Sequence, residues 1–471
     1  MWMKIRVYYK LLERRELLVV IKGSSIKKKS WNGEKTALRL LKKYWGYNSF
    51  LPRQSAIVSS VMKGNDTLAI LATGAGKSIC YQIPALYFGG LTLVISPLVA
   101  LMKDQVDDLN GRGIPAVSWT GALSQKDRIQ IKNDIRKCRI RLLFASPEKC
   151  MQADFLETLD AAPVRLIAID EAHCISEWGH DFRQDYRQLV RLRRRFPEVP
   201  VIALTATATP DVRDDICNQL ELKKVRKFVG SFNRRNLNYQ VLERKDNDKD
   251  LIDFLTRHKN EPGIVYCMSR QESVEMAGKF RKMGFYAMPY HAGLPRAERD
   301  NLQESFMQNK VRIICATIAF GMGVNKPDVR FVVHTRLPKN LESYYQETGR
   351  AGRDGKPAEC LLLYSRKDEE TLGDLILNDL GNEKIRQKAR LKIRHILSFC
   401  ELSGCRKRFL LAYFGEESPR DHCRFCKKCN YRDLSTLSGS PQNINHPSNS
   451  QELNELSRVL ITPGDYPVPS I

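Results

Sequence analysis

Two successive series of short apolar runs, each run followed by a helical stretch, organise most of this 471-residue chain. Runs that are apolar on both faces suit a parallel sheet that helices cover on each side. The predicted strands are Thr67–Leu71, Leu91–Ser96, Arg141–Ala145, Leu166–Asp170 and Val201–Thr205 in the first series, and Gly263–Cys267, Ala287–His291, Arg312–Thr317, Phe331–His334 and Cys360–Leu363 in the second. We therefore expect two α/β units of similar size, joined near Ser231–Asn238.

A glycine-rich loop follows the first predicted strand, where residues 71–78 read Leu-Ala-Thr-Gly-Ala-Gly-Lys-Ser. Backbone N–H groups in such a loop, together with the N-terminus of the next helix, can cradle phosphates. Lys77 is expected to contact the β- and γ-phosphates, and Ser78 to ligate Mg²⁺. Leu71 stands where the strict pattern has glycine, so the loop taken alone is also compatible with a chance glycine-rich turn.

Two carboxylates, Asp170 and Glu171, end the apolar run Val164–Ile169 and precede Ala172 and His173. Asp170 is suited to hold Mg²⁺ through water, and Glu171 to polarise an attacking water. Together with the glycine-rich loop, this pair predicts a site that hydrolyses a nucleoside triphosphate.

Two arginines, Arg350 and Arg353, lie in the segment Gln346–Arg353, and Gly349 and Gly352 would let that segment approach another surface closely. Only the first unit carries a glycine-rich phosphate loop, which indicates a nucleotide cleft between the units, with the arginines reaching across it. The alternative is an ordinary solvated start of a basic helix.

The chain carries 77 Lys and Arg residues against 53 Asp and Glu residues, a net charge of +24 that favours a polyanionic partner. Residues 1–45 alone hold 13 basic and 3 acidic residues, and this arm either contacts nucleic acid or is a disordered tail. We find no signal peptide or membrane span, and most cysteines are scattered singly, as in an intracellular protein with reduced thiols.

Four cysteines near the end, Cys405, Cys423, Cys426 and Cys429, have the spacing of a tetrahedral zinc site. A redox pair is the alternative. Cys400, within the basic helical stretch from Glu383, is expected to pack in the interior instead. After Cys429 the composition turns to Ser, Asn and Pro, which predicts a tail.

These motifs, in this order, resemble those of RecQ-type DNA helicases of helicase superfamily 2 between Tyr44 and Cys429. The matching segments are Tyr47–Gln54, Thr73–Ser78, Ser96–Gln105, Asp170–His173, Trp178–Arg183, Thr205–Ala208, Ala316–Pro327 and Gln346–Asp354. The resemblance implies two tandem RecA-like parallel-sheet lobes followed by a small helical zinc-binding subdomain. The implied division is a basic extension (1–35), lobe 1 (36–230), lobe 2 (231–366), the zinc-binding subdomain (367–430) and a tail without a winged helix (431–471).

The resemblance also implies roles for individual residues. In the nucleotide site, Tyr47 would stack on the adenine and Gln54 would read its edge, while Thr73, Gly74, Ala75 and Gly76 complete the phosphate loop. Trp178, Phe182 and Arg183 would sense single-stranded DNA, with His173, Thr205 and Thr207 helping to couple DNA to hydrolysis. Leu51, Glu177 and Gln184 depart from residues common in the family.

The implied function is ATP-dependent 3′→5′ translocation on single-stranded DNA with duplex unwinding, in DNA repair, recombination or replication. The implied cofactors are ATP, Mg²⁺ and Zn²⁺, and the implied partners are single-stranded, tailed or forked DNA and DNA repair proteins, in the cytoplasm, nucleoid or nucleus. Two alternatives stay open at this point: an RNA or hybrid-duplex helicase, and a scaffold that binds or anneals DNA without productive hydrolysis. Without a winged helix, unwinding would be weaker or would use a different wedge.

Overall fold

The computed structural model describes residues 33–417, with gaps at 122, 180, 246–247, 319, 321–325 and 378–382. Three predictions lie wholly or largely outside these residues: the basic N-terminal extension, the cysteines Cys423, Cys426 and Cys429, and the tail from residue 431. Among the helices that the structure describes, none has the length and apolar character needed to cross a bilayer.

The first unit is built on a seven-stranded, all-parallel sheet in the order β3-β4-β2-β5-β6-β1-β7. Leu93 and Val94 on β2 point to opposite faces and are both fully buried, so helices cover the sheet on both sides. The strands are β1 (Thr67–Ile70), β2 (Leu91–Ile95), β3 (Ala116–Trp119), β4 (Leu142–Ala145), β5 (Val164–Ile169), β6 (Val201–Thr205) and β7 (Arg226–Val229). The helices are Gly33–Trp45, Gln54–Met62, Ile79–Phe88, Val99–Gly111, Gln125–Arg136, Pro147–Cys150, Ala153–Asp160, Gln184–Arg187, Val190–Arg195 and Pro210–Gln219, with a 3₁₀ turn at Ala172–Ile175.

The second unit contains a six-stranded, all-parallel sheet in the order β10-β11-β9-β12-β13-β8. Its strands are β8 (Leu237–Glu243), β9 (Gly263–Tyr266), β10 (Ala287–Tyr290), β11 (Ile313–Ala316), β12 (Phe331–His334) and β13 (Ala358–Tyr364). Its helices are Lys249–Arg257, Arg270–Lys282, Arg296–Met307 and Leu341–Thr348. The chain passes between the units from Val229 to Leu237, within the predicted junction.

All ten predicted strands are present, and their ends differ from the predicted ends by no more than two residues. Three of the four edge strands, β3, β7 and β8, were not predicted from the sequence. Polar residues occupy part of each, and β7, for example, is only partly covered along its length. An edge strand has one neighbour and more solvent, so it lacks the continuous apolar run that marks an interior strand.

Three further helices follow the second sheet, at Lys367–Leu377, Glu383–Glu401 and Arg406–Tyr413. Cys400 is 6% exposed within this group, which confirms its predicted packing role. The Glu383–Glu401 helix contacts both units, because Lys392 Nζ donates to the Gly179 carbonyl (2.8 Å) and pairs with the Glu342 carboxylate (3.2 Å). The C-terminal helices therefore bridge the two units.

A buried ion pair connects the helix Val190–Arg195 to the residue just before β1 in the first unit. Arg193 Nη2 lies 2.9 Å from Asp66 Oδ2, and both side chains are under 10% exposed. Asp66 also accepts hydrogen bonds from the backbone N–H groups of Val201 (3.0 Å) and Lys223 (2.7 Å). The carboxylate thus organises three separate segments.

We expect Arg193→Ala to lower the free energy of unfolding by about 3–5 kcal/mol, because it leaves the Asp66 charge buried without its cation. The neighbouring Arg194 is the matched control, since its pair with Glu221 is exposed and its removal should cost less than about 1 kcal/mol. Urea-induced unfolding of the two variants measures both values. Equal losses of unfolding free energy in the two variants would show that the buried pair stabilises the fold no more than the exposed pair does.

Candidate functional site

The phosphate loop lies between the carboxyl end of β1, which is next to the edge strand β7, and the helix Ile79–Phe88. Gly74 (φ 84°) and Gly76 (φ 70°) adopt left-handed backbone angles that favour glycine. Leu71 has no such angle; it is 2% exposed, and its N–H donates to the Thr205 carbonyl (3.0 Å). An apolar side chain therefore fits where the strict motif has glycine.

The Gln54 side chain holds this loop through hydrogen bonds to its main chain. Its Nε2 donates to the carbonyls of Ala75 and Gly76, each at 3.0 Å, and its Oε1 accepts from the Leu51 N–H at 2.9 Å. A Cβ on Gly76 would collide with the Gln54 amide. Tyr47 is 59% exposed, so its ring is open to solvent. The adenine-binding roles of Gln54 and Tyr47 stay predictions.

Asp170 and Glu171 follow the carboxyl end of β5, which lies between β2 and β6. The Asp170 N–H donates to the Ile95 carbonyl (2.8 Å), and Asp170 Oδ1 accepts from the Glu171 N–H (3.0 Å). Glu171 has φ 47° and ψ 45°, a conformation that costs a non-glycine residue energy and is often kept at functional sites. The backbone at the end of β5 therefore fixes Asp170 through hydrogen bonds to its N–H and its carboxylate.

The two carboxylates differ in their readiness to ionise. Burial raises the pKa of Asp170, and the Glu171 charge adds to the rise, while Lys77 opposes it. Burial also disfavours ionised Glu171, but the hydrogen bond from His173 and the charges of His173, Lys77 and Arg350 lower its pKa below the usual range. Glu171 is thus the more readily ionised member, and Lys77 and Arg350 both act on it.

His173 links the carboxylate pair to the end of β6. Its Nδ1 lies 2.7 Å from Thr205 Oγ1 and 3.3 Å from Glu171 Oε2, and Thr205 Oγ1 accepts from the Thr207 N–H at 3.3 Å. Burial opposes a charge on His173, but its contacts with Cys174 and Glu171 raise its pKa. Thr205 and Thr207 are at most 1% exposed, so Thr205 contacts His173 inside the first unit, and neither threonine presents its side chain at the surface.

The arginine segment of the second unit lies against the phosphate loop. A Cβ built on Gly349 would lie 3.4 Å from Thr73 Cβ, and one built on Gly74 would lie 3.5 Å from Arg353 Cγ. Burial, together with the charges of Arg350 and Arg234, lowers the pKa of Arg353 to about 10. The structure thus brings Arg350 and Arg353 to the cleft, with a concentration of positive charge facing the loop.

Arg234 is part of this cluster and was missed in the sequence analysis. It lies in the segment between β7 and β8, where it bonds to carbonyls of both Thr73 and the arginine segment. The sequence showed only a junction there, because the adjacent Arg234 and Arg235 belong to no motif that would distinguish one of them.

The aromatic loop, residues 177–183 with 180 not described, lies beside the Glu383–Glu401 helix. Lys388 Nζ is 3.9 Å from the centre of the Trp178 ring, a cation–π distance, and 3.2 Å from Glu177 Oε2. Glu177 also pairs with Arg187 at 3.0 Å. Glu177 therefore forms ion pairs with two basic side chains.

Phe182 and Arg183 complete this loop. Phe182 lies under the Arg187 guanidinium (5.2 Å), while Arg183 pairs with Asp181 (2.9 Å) and donates to the Pro97 carbonyl (3.4 Å). The Arg183 N–H donates to the Cys174 carbonyl at 2.9 Å, within the 3₁₀ turn that begins after Glu171. A few residues thus connect the loop to the carboxylate pair.

The predicted zinc ligands are only partly described. Cys405 precedes the helix Arg406–Tyr413 and is half-buried, whereas the other three cysteines lie outside the described residues. Within the described part of the chain, no cluster of three or more His, Cys, Asp or Glu residues is arranged to hold a metal ion. The four-cysteine site stays a prediction.

Three family models match the chain in succession. Residues 51–216 match the DEAD/DEAH box helicase model, 246–355 the helicase conserved C-terminal domain, and 366–430 the RecQ zinc-binding domain. The matches cover most strands of both sheets and the bridging helices, in the predicted order.

Named relatives agree with this assignment. The chain is 45% identical over 393 residues to an ATP-dependent DNA helicase RecQ of Haemophilus influenzae, covering 83% of this chain and 63% of the relative. It is 42% identical over 395 residues to the ATP-dependent DNA helicase RecQ of Bacillus subtilis, covering 83% of this chain and 66% of the relative. The chain thus spans about two thirds or less of the length of these relatives.

A solved structure, the Mycobacterium smegmatis helicase Lhr bound to ssDNA and AMP-PNP, shares the fold with a TM-score of 0.56. Its identity is 17%, and the likeness covers 77% of this chain and 49% of Lhr. The predicted fold, two tandem RecA-like parallel-sheet lobes, is confirmed. On the family models, the relatives and this fold together, the chain belongs to the RecQ family of DEAD/DEAH box helicases.

Proposed function

We propose that this protein is an ATP-hydrolysing DNA helicase that couples hydrolysis to 3′→5′ movement on single-stranded DNA and to duplex unwinding. The observation that carries the proposal is the cleft itself, where carboxylates of lobe 1 and arginines of lobe 2 meet at one phosphate loop. The chemistry of that cleft suits phosphoryl transfer to water, which depends on positioning and charge stabilisation. Roles in DNA repair, recombination or replication belong to the same proposal.

The residues of lobe 1 would bind and orient the nucleotide. Ser78 and Asp170 offer the oxygen ligands that Mg²⁺ prefers, and the bound ion would neutralise charge on the β- and γ-phosphate oxygens. Lys77 would hold the same phosphates, and Glu171, kept ionised by His173, would accept a proton from the attacking water. Gln54 and Tyr47 would hold the adenine once Gln54 exchanges its bonds to the loop for bonds to the base.

The residues of lobe 2 would complete the site. Arg350 and Arg353 would stabilise charge that develops on the transferred phosphate, as arginine fingers do in related chemistry. The close approach of Gly349 to Thr73 and of Arg353 to Gly74 makes hydrolysis sensitive to the relative position of the lobes. Opening after hydrolysis would then change how each lobe holds the DNA backbone.

The aromatic loop would report the presence of DNA. Trp178 is half-buried beside Lys388, and its ring could stack on an unpaired base, an interaction worth about 1–3 kcal/mol. The hydrogen bond from the Arg183 N–H to Cys174 offers a short route from that loop to Glu171. Thr205 and Thr207 would act on this route through His173.

The zinc-binding region completes the proposed organisation. We place lobe 1 at 36–230, lobe 2 at 231–366 and the zinc-binding subdomain at 367–430, with Cys405, Cys423, Cys426 and Cys429 as Zn²⁺ ligands. Four thiolates suit a structural zinc site, which would stabilise a segment with little core of its own. The match to the RecQ zinc-binding model supports this assignment.

The test is an unwinding assay on matched DNA and RNA duplexes with 3′ tails, 5′ tails or forks, combined with ATPase measurement. The proposal expects ATP-dependent unwinding of 3′-tailed DNA and little action on 5′-tailed DNA. Strong preference for RNA would favour the RNA-helicase alternative. DNA binding or annealing without ATP hydrolysis would favour the scaffold.

The double variant Trp178→Ala/Phe182→Ala should hydrolyse ATP at nearly the wild-type rate without DNA but lose the stimulation by single-stranded DNA. The reason is that both aromatic side chains lie on the proposed sensor, where the Trp178 ring contacts Lys388 and the Phe182 ring contacts Arg187. ATPase titrations with oligo-dT measure the effect. Tyr286→Ala, an exposed ring on lobe 2, is the control, and retained stimulation in the double variant would refute the sensor role.

A further inference from the structure

Arg234 joins the two lobes directly at the nucleotide cleft. Its Nη1 donates to the carbonyls of Thr73 (3.4 Å) and Gly349 (3.0 Å), and its Nη2 to those of Ala351 (2.8 Å) and Gly352 (3.1 Å). One planar guanidinium thus contacts the phosphate loop of lobe 1 and the arginine segment of lobe 2. Its fixed fork makes this geometry specific to arginine.

The carbonyls that Arg234 binds surround Arg350. Three of them belong to Gly349, Ala351 and Gly352, at the end of the helix Leu341–Thr348. A helix C-terminus presents free carbonyls and a partial negative charge, which a cation stabilises. The Asn236 side chain adds hydrogen bonds to the carbonyls of Gly352 and Lys356, each at 2.8 Å. The backbone that directs Arg350 is therefore held from the interlobe segment.

The interlobe segment is itself anchored. The Phe232 ring stacks on the Phe414 ring, with ring centres 4.5 Å apart and an angle of 5° between the planes. The main-chain carbonyl of Phe232 accepts a hydrogen bond from Tyr345 Oη at 2.9 Å. Glu416 accepts from Ser231 Oγ at 2.6 Å and from the Phe232 N–H at 2.5 Å. These contacts fix the backbone of the interlobe segment close to Arg234.

We propose that Arg234 is a positioning residue for ATP hydrolysis, which holds the Arg350–Arg353 segment at the phosphate loop when the lobes close. This inference rests on the proposed ATPase function and adds the residue that sets the geometry of its arginine fingers. Arg234 acts through the main chain of the segment, so its loss should slow the chemical step more than it weakens nucleotide binding. A displacement of about 1 Å in a catalytic group can lower a rate about 10²-fold.

The test compares Arg234→Ala, Arg234→Lys and the control Arg194→Ala, an exposed arginine on lobe 1. The measurements are kcat and KM for ATP with saturating oligo-dT, the affinity for a fluorescent ATP analogue, and the melting temperature. We expect kcat to fall about 10–100-fold in Arg234→Ala with nucleotide affinity and melting temperature nearly unchanged. Arg234→Lys keeps the charge but not the fork and should recover only part of the rate.

Two outcomes would overturn the inference. An unchanged kcat would exclude a positioning role. So would a fall in kcat that comes with a similar fold-loss of nucleotide affinity and a clear drop in melting temperature. If Arg234→Ala does not fold, Arg234→Lys applies the same criteria. A wild-type protein without DNA-stimulated hydrolysis would instead overturn the proposed function, which separates the two failures.

Discussion

Glu171→Gln is expected to lower kcat for ATP hydrolysis by about 10²–10⁴-fold, the range for loss of a general base. Glutamine has the shape of glutamate but cannot accept the proton of the attacking water. Lys77→Ala should remove hydrolysis by a different route, because it takes away a cation that the phosphates need. Steady-state ATPase assays measure both effects.

Nucleotide affinity distinguishes these two variants. Glu171→Gln should bind a fluorescent ATP analogue about as well as the wild type, whereas Lys77→Ala should bind it more weakly. Glu157→Gln, an exposed substitution on the helix Ala153–Asp160, is the matched control and should change neither quantity. Hydrolysis within about twofold of wild type in Glu171→Gln would rule out Glu171 as the base.

Arg353→Ala and Arg350→Ala should each lower kcat by about 10³–10⁵-fold, the range for removal of an arginine finger. Gly349 beside Thr73 and Arg353 beside Gly74 place this segment at the cleft, and the lowered pKa of Arg353 reflects burial near two other cations. Like charges crowded together are relieved when phosphate oxygens bind between them, so these arginines are suited to an anionic transition state.

Single-turnover ATP hydrolysis measures this loss separately from binding. Binding of single-stranded DNA, followed by fluorescence anisotropy, should change little. Arg366→Ala serves as the control on lobe 2, because that side chain is 89% exposed. A cleft arginine is not an arginine finger if its removal lowers the single-turnover hydrolysis rate no more than Arg366→Ala does.

Most of the fold could be predicted because interior parallel strands are apolar on both faces. Leu91–Ile95 and Val201–Thr205 needed no knowledge of their neighbours to be recognised. Three of the four edge strands, β3, β7 and β8, could not be found in this way. The polarity of Arg226–Val229, for example, has meaning only once its place at the edge of the sheet is known.

The same distinction applies to the functional site: residues in short motifs could be predicted, whereas contacts between distant residues could not. Asp170, Glu171 and Lys77 belong to short contiguous motifs, and their chemistry could be predicted from spacing alone. The contacts of Lys388 with Trp178, of His173 with Thr205 and of Gln54 with Ala75 join residues far apart in the chain. None of these pairs has a sequence signature.

Local chemistry therefore determined what this chain carries: two sets of parallel strands, a phosphate loop, a carboxylate pair, two arginines and an aromatic loop. Tertiary structure decided how they meet. Arg234 illustrates the reason, because an arginine in a junction becomes informative only when two lobes bring Thr73 and Gly349 within reach of one guanidinium. Hydrogen bonds act over about 3 Å, and only the folded chain sets distances on that scale between residues more than a hundred positions apart.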